Sequence, residues 1–202
     1  MKLDALTLDA LTEIFNLGVG QAAHALSQIA GDSVLLTVPR VAVLSRSEVT
    51  DHMGGAGMAS VSAVRQRFSG ALNAEAVLMF PAERGLQLVQ MMVGGELPLE
   101  QLAEMEQEAL SEVGNILLNS VMASVADALR IELDGALPSV ELSRVHDVLS
   151  PEQDPRGQVL LIDIQFEVAA REVQGLLAFL LDVASQGALE QMLGRFLQRL
   201  ET

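Results

Sequence analysis

The chain has 202 residues, with 12 Lys and Arg against 27 Asp and Glu, for a formal charge of −15. Half of it is hydrophobic and 19% is charged, which predicts one globular domain with a real core rather than an acidic disordered tail. Acidity argues against nucleic acid and anionic lipid, which need clustered Lys and Arg, and the lack of cysteine excludes disulfides, thiolate metal sites and a cysteine nucleophile.

Six Phe with no Trp or Tyr imply an aliphatic core and no aromatic platform for bases or sugars. The apolar run Leu176 to Leu181 is too short to span a bilayer. The longest charge-free stretch, Ile14 to Gly31, is interrupted by Asn16, Gln21, His24, Ser27 and Gln28. With Met1-Lys2-Leu3-Asp4 at the start and no signal-peptide core there, the expectation is a cytoplasmic protein with no membrane insertion.

The first predicted element is a helix from Leu8 to Ala30, with Thr7 as N-cap and Gly31-Asp32 as the stop. Its apolar stripe is Leu11, Phe15, Gly18, Ala22, Ala25 and Ile29, a spacing that keeps to one helical face. Strands are expected over Val34 to Val43, Ala59 to Phe68 and Ala71 to Phe80, with a hairpin turn at Ser69-Gly70. A short amphipathic helix over Ala82 to Met92 follows.

The same order then recurs. A second long helix starts as early as Pro98, or breaks near Gln107 into two, and carries the stripe Leu110, Gly114, Leu117, Val121, Ser124, Ala128. Strands are expected over Leu137 to Leu142, Val159 to Phe166 and Val173 to Leu181, with a turn at Arg171-Glu172, then a helix over Val183 to Leu197. The prolines inside the first strand of each series suit an edge or a strand end. The third strands are continuous in apolar residues, as central strands are.

This recurrence is an internal repeat. Leu11-Thr12-Glu13-Ile14-Phe15-Asn16-Leu17 realigns with Leu110-Ser111-Glu112-Val113-Gly114-Asn115-Ile116, an offset of 99, and Pro39 realigns with Pro138. The halves are 1–96 and 97–202. Short turns between strands imply antiparallel pairing. The predicted fold is α+β: a pseudo-twofold, two-repeat single domain with a mainly antiparallel sheet under long helices.

Off the apolar stripe, Asp9, Glu13 and Asn16 stand at i, i+4 and i+7 and form one row; Glu108, Glu112 and Asn115 form the corresponding row. A carboxylate one turn from an amide on a rigid helix cannot enclose a small substrate, but it can be inserted into another protein's active site. Asn is a poor general base yet can hold and orient water. Phosphoryl transfer needs mainly positioning, and small GTPases use a glutamine in this way. With the carboxylate anchored to a partner's lysine, the pair suggests assisted dephosphorylation of a phosphoprotein.

The pattern Asp/Ser-x3-Glu-x2-Asn-x22-Pro, present twice, resembles the CheC / CheX / FliY family of chemotaxis phosphatases. Asp9, Glu13, Asn16 and Pro39 fit it fully; Glu112, Asn115 and Pro138 fit, and Glu108 stands where the family has Asp or Ser. The resemblance implies dephosphorylation of a CheY-like receiver, which brings its own aspartyl phosphate and Mg2+. It implies that Glu13 and Glu112 pair with the receiver's lysine while Asn16 and Asn115 orient the attacking water, with Pro39 and Pro138 structural. It also implies the deamidase CheD as a second partner. A chain carrying its own pseudo-dimer is expected to be a monomer. The competing reading is a non-catalytic receiver-docking or flagellar-switch-like module, since FliM shares a similar fold without these pairs.

Other features carry less. Gly54-Gly55-Ala56-Gly57 lacks the Gly-Lys-Ser/Thr of a phosphate loop, and reads as a loop between strands. His24, His52 and His146 have no metal spacing. Glu100, Glu104, Glu106 and Glu108 read as a solvated helix face or a dock for a basic partner. Pro151 to Pro155 reads as an exposed connection.

Overall fold

The computed structural model describes residues 3–52, 60–93, 99–149, 158–168, 171–181 and 183–200. The first helix, α1 (Ala5–Ala30), starts one turn earlier than the stripe suggests. Asp4 is its cap and accepts from Thr7 N–H and the Thr7 hydroxyl. Thr7 is therefore a buried first-turn residue rather than the cap. Gly31 ends the helix in the left-handed conformation at φ 66°, donating its N–H to Ser27 O, a stop that a side chain would strain.

Strand β1 (Val34–Ser45) leads to a short helix, α2 (Arg46–His52). Then come the hairpin β2 (Ser60–Gly70) and β3 (Ala74–Pro81), and helix α3 (Ala82–Val93). The second series opens with α4 (Leu99–Leu129), a continuous helix with no break at Gln107. It continues through β4 (Leu133–Gly135), β5 (Ser139–Arg144), the one-turn helix α5 (Val145–Val148), β6 (Gln158–Val168), β7 (Arg171–Leu181) and α6 (Val183–Leu200). Both expected turns shift. Ser69 and Gly70 pair with Asp134 and Leu133, and Arg171 and Glu172 pair with Val168 and Glu167, so all four belong to strands. The Gly54–Gly57 and Pro151–Pro155 segments and Pro98 lie outside the described residues.

All pairs in the seven-stranded sheet are antiparallel, and the order is β1-β6-β7-β3-β2-β4, with β5 also on β2. Each series thus keeps its hairpin at the centre and lends its first strand to the hairpin of the other. Pro39 falls in the edge strand β1 and Pro138 just outside β5, where a missing N–H costs no ladder bond. The apolar strands β3 and β7 meet in the middle.

Alternate residues of the central strands feed two cores. On one face Val64, Leu78, Phe80, Ile162, Ile164 and Phe166 pack with the long helices α1 and α4 and with α3 and α6. On the other, Val61, Ala63, Met79 and Leu161 pack under Val49 of α2 and Val145 and Val148 of α5. A sheet buried on both sides explains the continuous apolar runs of β3 and β7. The stretch Met105–Leu129 of α4 is long and apolar enough to cross a membrane by length and composition, and half of it is buried within the protein.

Candidate functional site

Glycine sets how closely the two long helices approach. A Cβ on Gly18 would lie 2.6 Å from Val121 Cα, so α1 and α4 touch backbone to backbone there. Leu11 and Phe15 of α1 lie beside Met122 and Val125 of α4, whereas Leu26 and Ile29 lie beside Met105, Ala109 and Val113. The helices therefore run antiparallel. By that alignment Asn16 and Asn115 are offset by about 12 Å along the axis, at 1.5 Å per residue, and form two separate stations.

At the first station Asp9 and Glu13 are exposed and Asn16 is half-buried. Val38 donates its backbone N–H to Asn16 Oδ1 at 3.2 Å. That donor is free because the β1–β6 register breaks between Thr37 and Arg40, around Pro39, which lacks an N–H and holds the preceding residue extended. The 22-residue spacing between Asn16 and Pro39 thus has a physical content: it returns the strand to the helix at this bond. A backbone N–H can only donate, so the Asn16 amide is fixed with its oxygen inward and Nδ2 free of any described protein partner. Pro39 is exposed and makes no polar contact through its ring.

At the second station Glu108 and Glu112 are exposed, Asn115 is half-buried, and Pro138 lies in the gap between β4 and β5. The strand breaks as β1 does, but the backbone turns the other way. Val38 is 5% exposed, whereas its counterpart Leu137 is 93% exposed. Asn115 Oδ1 accepts instead from Asn119 Nδ2, at 2.8 Å. The two rows read as equivalent in sequence are therefore supported differently.

Two surface grooves lie beside α4, one of them at the second station. One, of about 400 Å³, is lined by Leu26, Ile29, Met92, Met105, Ala109 and Val113, with Glu108 and Glu112 at its edge. The other, of about 270 Å³, lies beside Ser62, Glu106 and Leu142, where Glu106 accepts from the Ser62 hydroxyl at 3.3 Å. Glu106 is thus partly engaged rather than one of a uniformly solvated row. A cavity beneath α1, lined by Phe15 and Phe179 among others, measures about 30 Å³ and has apolar walls, too small for a substrate.

A model of the CheC-like family matches residues 6–43, the span from α1 through Pro39. The CheY-P phosphatase CheC of Bacillus subtilis is 31% identical over 146 residues, covering 71% of this chain and 69% of that protein. The chain belongs to the CheC-like family. Among solved structures, Thermotoga maritima FliY superposes with a TM-score of 0.77 at 21% identity, covering 97% of this chain and all of that one. The FliM middle domain of Vibrio alginolyticus gives 0.64 at 12% identity, covering 92% and 99%. At these identities the superpositions show a shared fold, and both proteins share it with the CheC-like chain.

Sequence reasoning alone does not name three residues that hold the CheC-like rows in place: Val38, Asn119 and Gln66. Signals for two of them exist. Val38 precedes a proline, and Asn119 stands one turn after Asn115. Gln66, buried in β2 as Ser62 is, is legible only as a buried polar residue once the strand's inward face is known.

Proposed function

We propose that this chain accelerates hydrolysis of the aspartyl phosphate on a CheY-like receiver. The observation that carries the reading is the doubled Glu-x2-Asn row, with exposed Glu13 and Glu112 and with each Asn amide held by its oxygen. In the proposed complex, Glu13 or Glu112 pairs with the receiver's active-site lysine and seats the helix over the phosphate. Nδ2 of Asn16 or Asn115 donates to a water and holds one of its lone pairs toward phosphorus, in line with the aspartyl leaving oxygen. The chain supplies orientation, and Mg2+ belongs to the receiver. Prepaid orientation of this kind is a recognised source of rate.

Family membership supports the reading, as does the name of the B. subtilis relative, a CheY-P phosphatase. We read the chain as one domain of two repeats, 1–96 and 97–202, consistent with the strand exchange across the sheet. Its proposed setting is the cytoplasm, as a monomer, with the deamidase CheD as a proposed second partner. The second reading is a docking module, favoured by the FliM-like fold, in which the rows bind a receiver without shortening its phosphate's life. Mixing the protein with a phosphorylated receiver separates the two: release of inorganic phosphate above the receiver's own rate supports the enzyme, and binding without such release supports the module.

A further inference from the structure

The second Asn is held by a relay of side-chain amides whose direction is set by one backbone carbonyl. Ala136 O accepts from Gln66 Nε2 at 2.8 Å. Gln66 Nε2 also donates to Asn119 Oδ1 at 3.1 Å, and Asn119 Nδ2 donates to Asn115 Oδ1 at 2.8 Å. Since a carbonyl oxygen only accepts, Gln66 must present its nitrogen to Ala136. The second hydrogen of that nitrogen fixes Asn119 with its oxygen toward Gln66. Asn119 then has only its NH2 to offer Asn115, which must answer with Oδ1. The outward group of Asn115 is Nδ2, as it is for Asn16.

The anchor is rigid. Gln66 is 2% exposed, and its Oε1 is buried without a partner among the described residues, a cost accepted to keep the nitrogen on the relay. Gly135 leaves the room: a Cβ there would sit 3.1 Å from both Asn119 Oδ1 and Gln66 Nε2. In the first half the counterpart of Asn119 is Gly20, beside which a Cβ would meet nothing within 4 Å. Among the described residues no relay stands there, and Val38 N–H holds the Asn16 oxygen directly.

We propose that Asn119, backed by Gln66 and Gly135, is a positioning residue that fixes the amide direction of Asn115 and is specific to the second station. This rests on the phosphatase reading for its effect on rate. The discriminating substitution is Asn119→Asp, of nearly the same shape. An ionised carboxylate only accepts, so it keeps the donation from Gln66 but forces the Asn115 amide to turn over, with Nδ2 inward and Oδ1 outward.

The experiment uses the full chain with an acetyl-phosphate-charged receiver and Mg2+, in an Asn16→Ala background so that only the second station acts. Asn119→Asp and Asn119→Ala are expected to lower kcat about tenfold or more, the scale misorientation imposes, with KM within about twofold because the Glu112 contact is untouched. With Asn16 intact and Asn115→Ala present, so that only the first station acts, Asn119→Asp should leave the rate unchanged. Side-chain amide NMR provides a readout independent of activity: in the parent one Asn119 Nδ2 proton is hydrogen-bonded and Asn115 NH2 is not, and in Asn119→Asp a hydrogen-bonded proton is expected on Asn115 Nδ2. An unchanged kcat for Asn119→Asp, while Asn16→Ala with Asn115→Ala is inactive, would overturn the relay and leave the phosphatase reading standing. Full activity in that Asn double variant would sink the phosphatase reading itself, and the NMR pattern would still decide the relay.

Discussion

Val38 gives its backbone N–H to Asn16 Oδ1 across 22 residues of chain, and the residue that follows it, Pro39, makes that donor available. Replacing Pro39 with Ala restores an N–H and lets Val38 leave the extended region. We expect Pro39→Ala, measured in an Asn115→Ala background, to lower the first station's kcat several-fold. The accompanying loss of stability should be about 1 kcal/mol or less, from the greater freedom of the unfolded chain. An unchanged kcat would separate the proline from the site.

Glycines at helix contacts give a paired prediction. A Cβ on Gly114 would lie 2.4 Å from Val64 Cγ1, and one on Gly18 2.6 Å from Val121 Cα. Gly114→Ala and Gly18→Ala should each destabilise by about 1–3 kcal/mol through overpacking. Val64→Ala should relieve part of the Gly114→Ala loss, because the obstacle there is a side chain, whereas no such rescue exists for Gly18, which meets backbone. Gly20, in open space, is the control: Gly20→Ala should gain up to about 1 kcal/mol from helix propensity. Urea titrations of the four variants rank them.

Much of this organisation is legible in the amino-acid sequence. The Leu11/Phe15/Gly18/Ala22 stripe marks the buried face of α1, and Leu110/Gly114/Leu117/Val121 that of α4, because helical period and burial coincide there. Ile29 is 54% exposed although it stands five whole turns from Leu11 on the same face; at that end of α1 the face opens onto the groove beside Met92 and Met105. The short helices α2 and α5 escape because one or two turns give too little periodicity to read; only the second core beneath Val49, Val145 and Val148 reveals them. The site rows are readable as a spacing, but their inequality is not. Whether a strand break turns Val38 inward or Leu137 outward depends on the opposite strand, where Gln66 fills the space that would otherwise need a backbone donor.

Glu13 and Glu112 are exposed, and their proposed work is charge pairing with a lysine. Glu13→Gln with Glu112→Gln should raise KM for the phosphorylated receiver several-fold, and the gap from the parent should shrink as ionic strength rises. Stability should change little, as is usual for solvated charges. A salt-independent defect would point to a different role.

Asp4 ties helix stability to pH. Bonds from the Thr7 hydroxyl and then the Thr7 N–H hold its carboxyl below the ordinary value of 3.8. A depressed folded-state pKa means that the unfolded chain binds the proton more readily, so this contribution is present above the unfolded value and is lost as pH falls through the folded one. Asp4→Ala should therefore lower Tm at pH 7. The difference from the parent should narrow below about pH 4 as the parent's carboxyl protonates; thermal melts of both chains from pH 7 to pH 2 follow it.

The central claim is that the two Asn amides perform the hydrolysis. Its most direct test is phosphate release from a Mg2+-loaded, acetyl-phosphate-charged receiver by the parent chain, Asn16→Ala, Asn115→Ala and the double variant, with receiver binding measured alongside. The account predicts partial rates for each single variant and, for the double, release no faster than the receiver alone despite retained binding. A double variant as fast as the parent would contradict it.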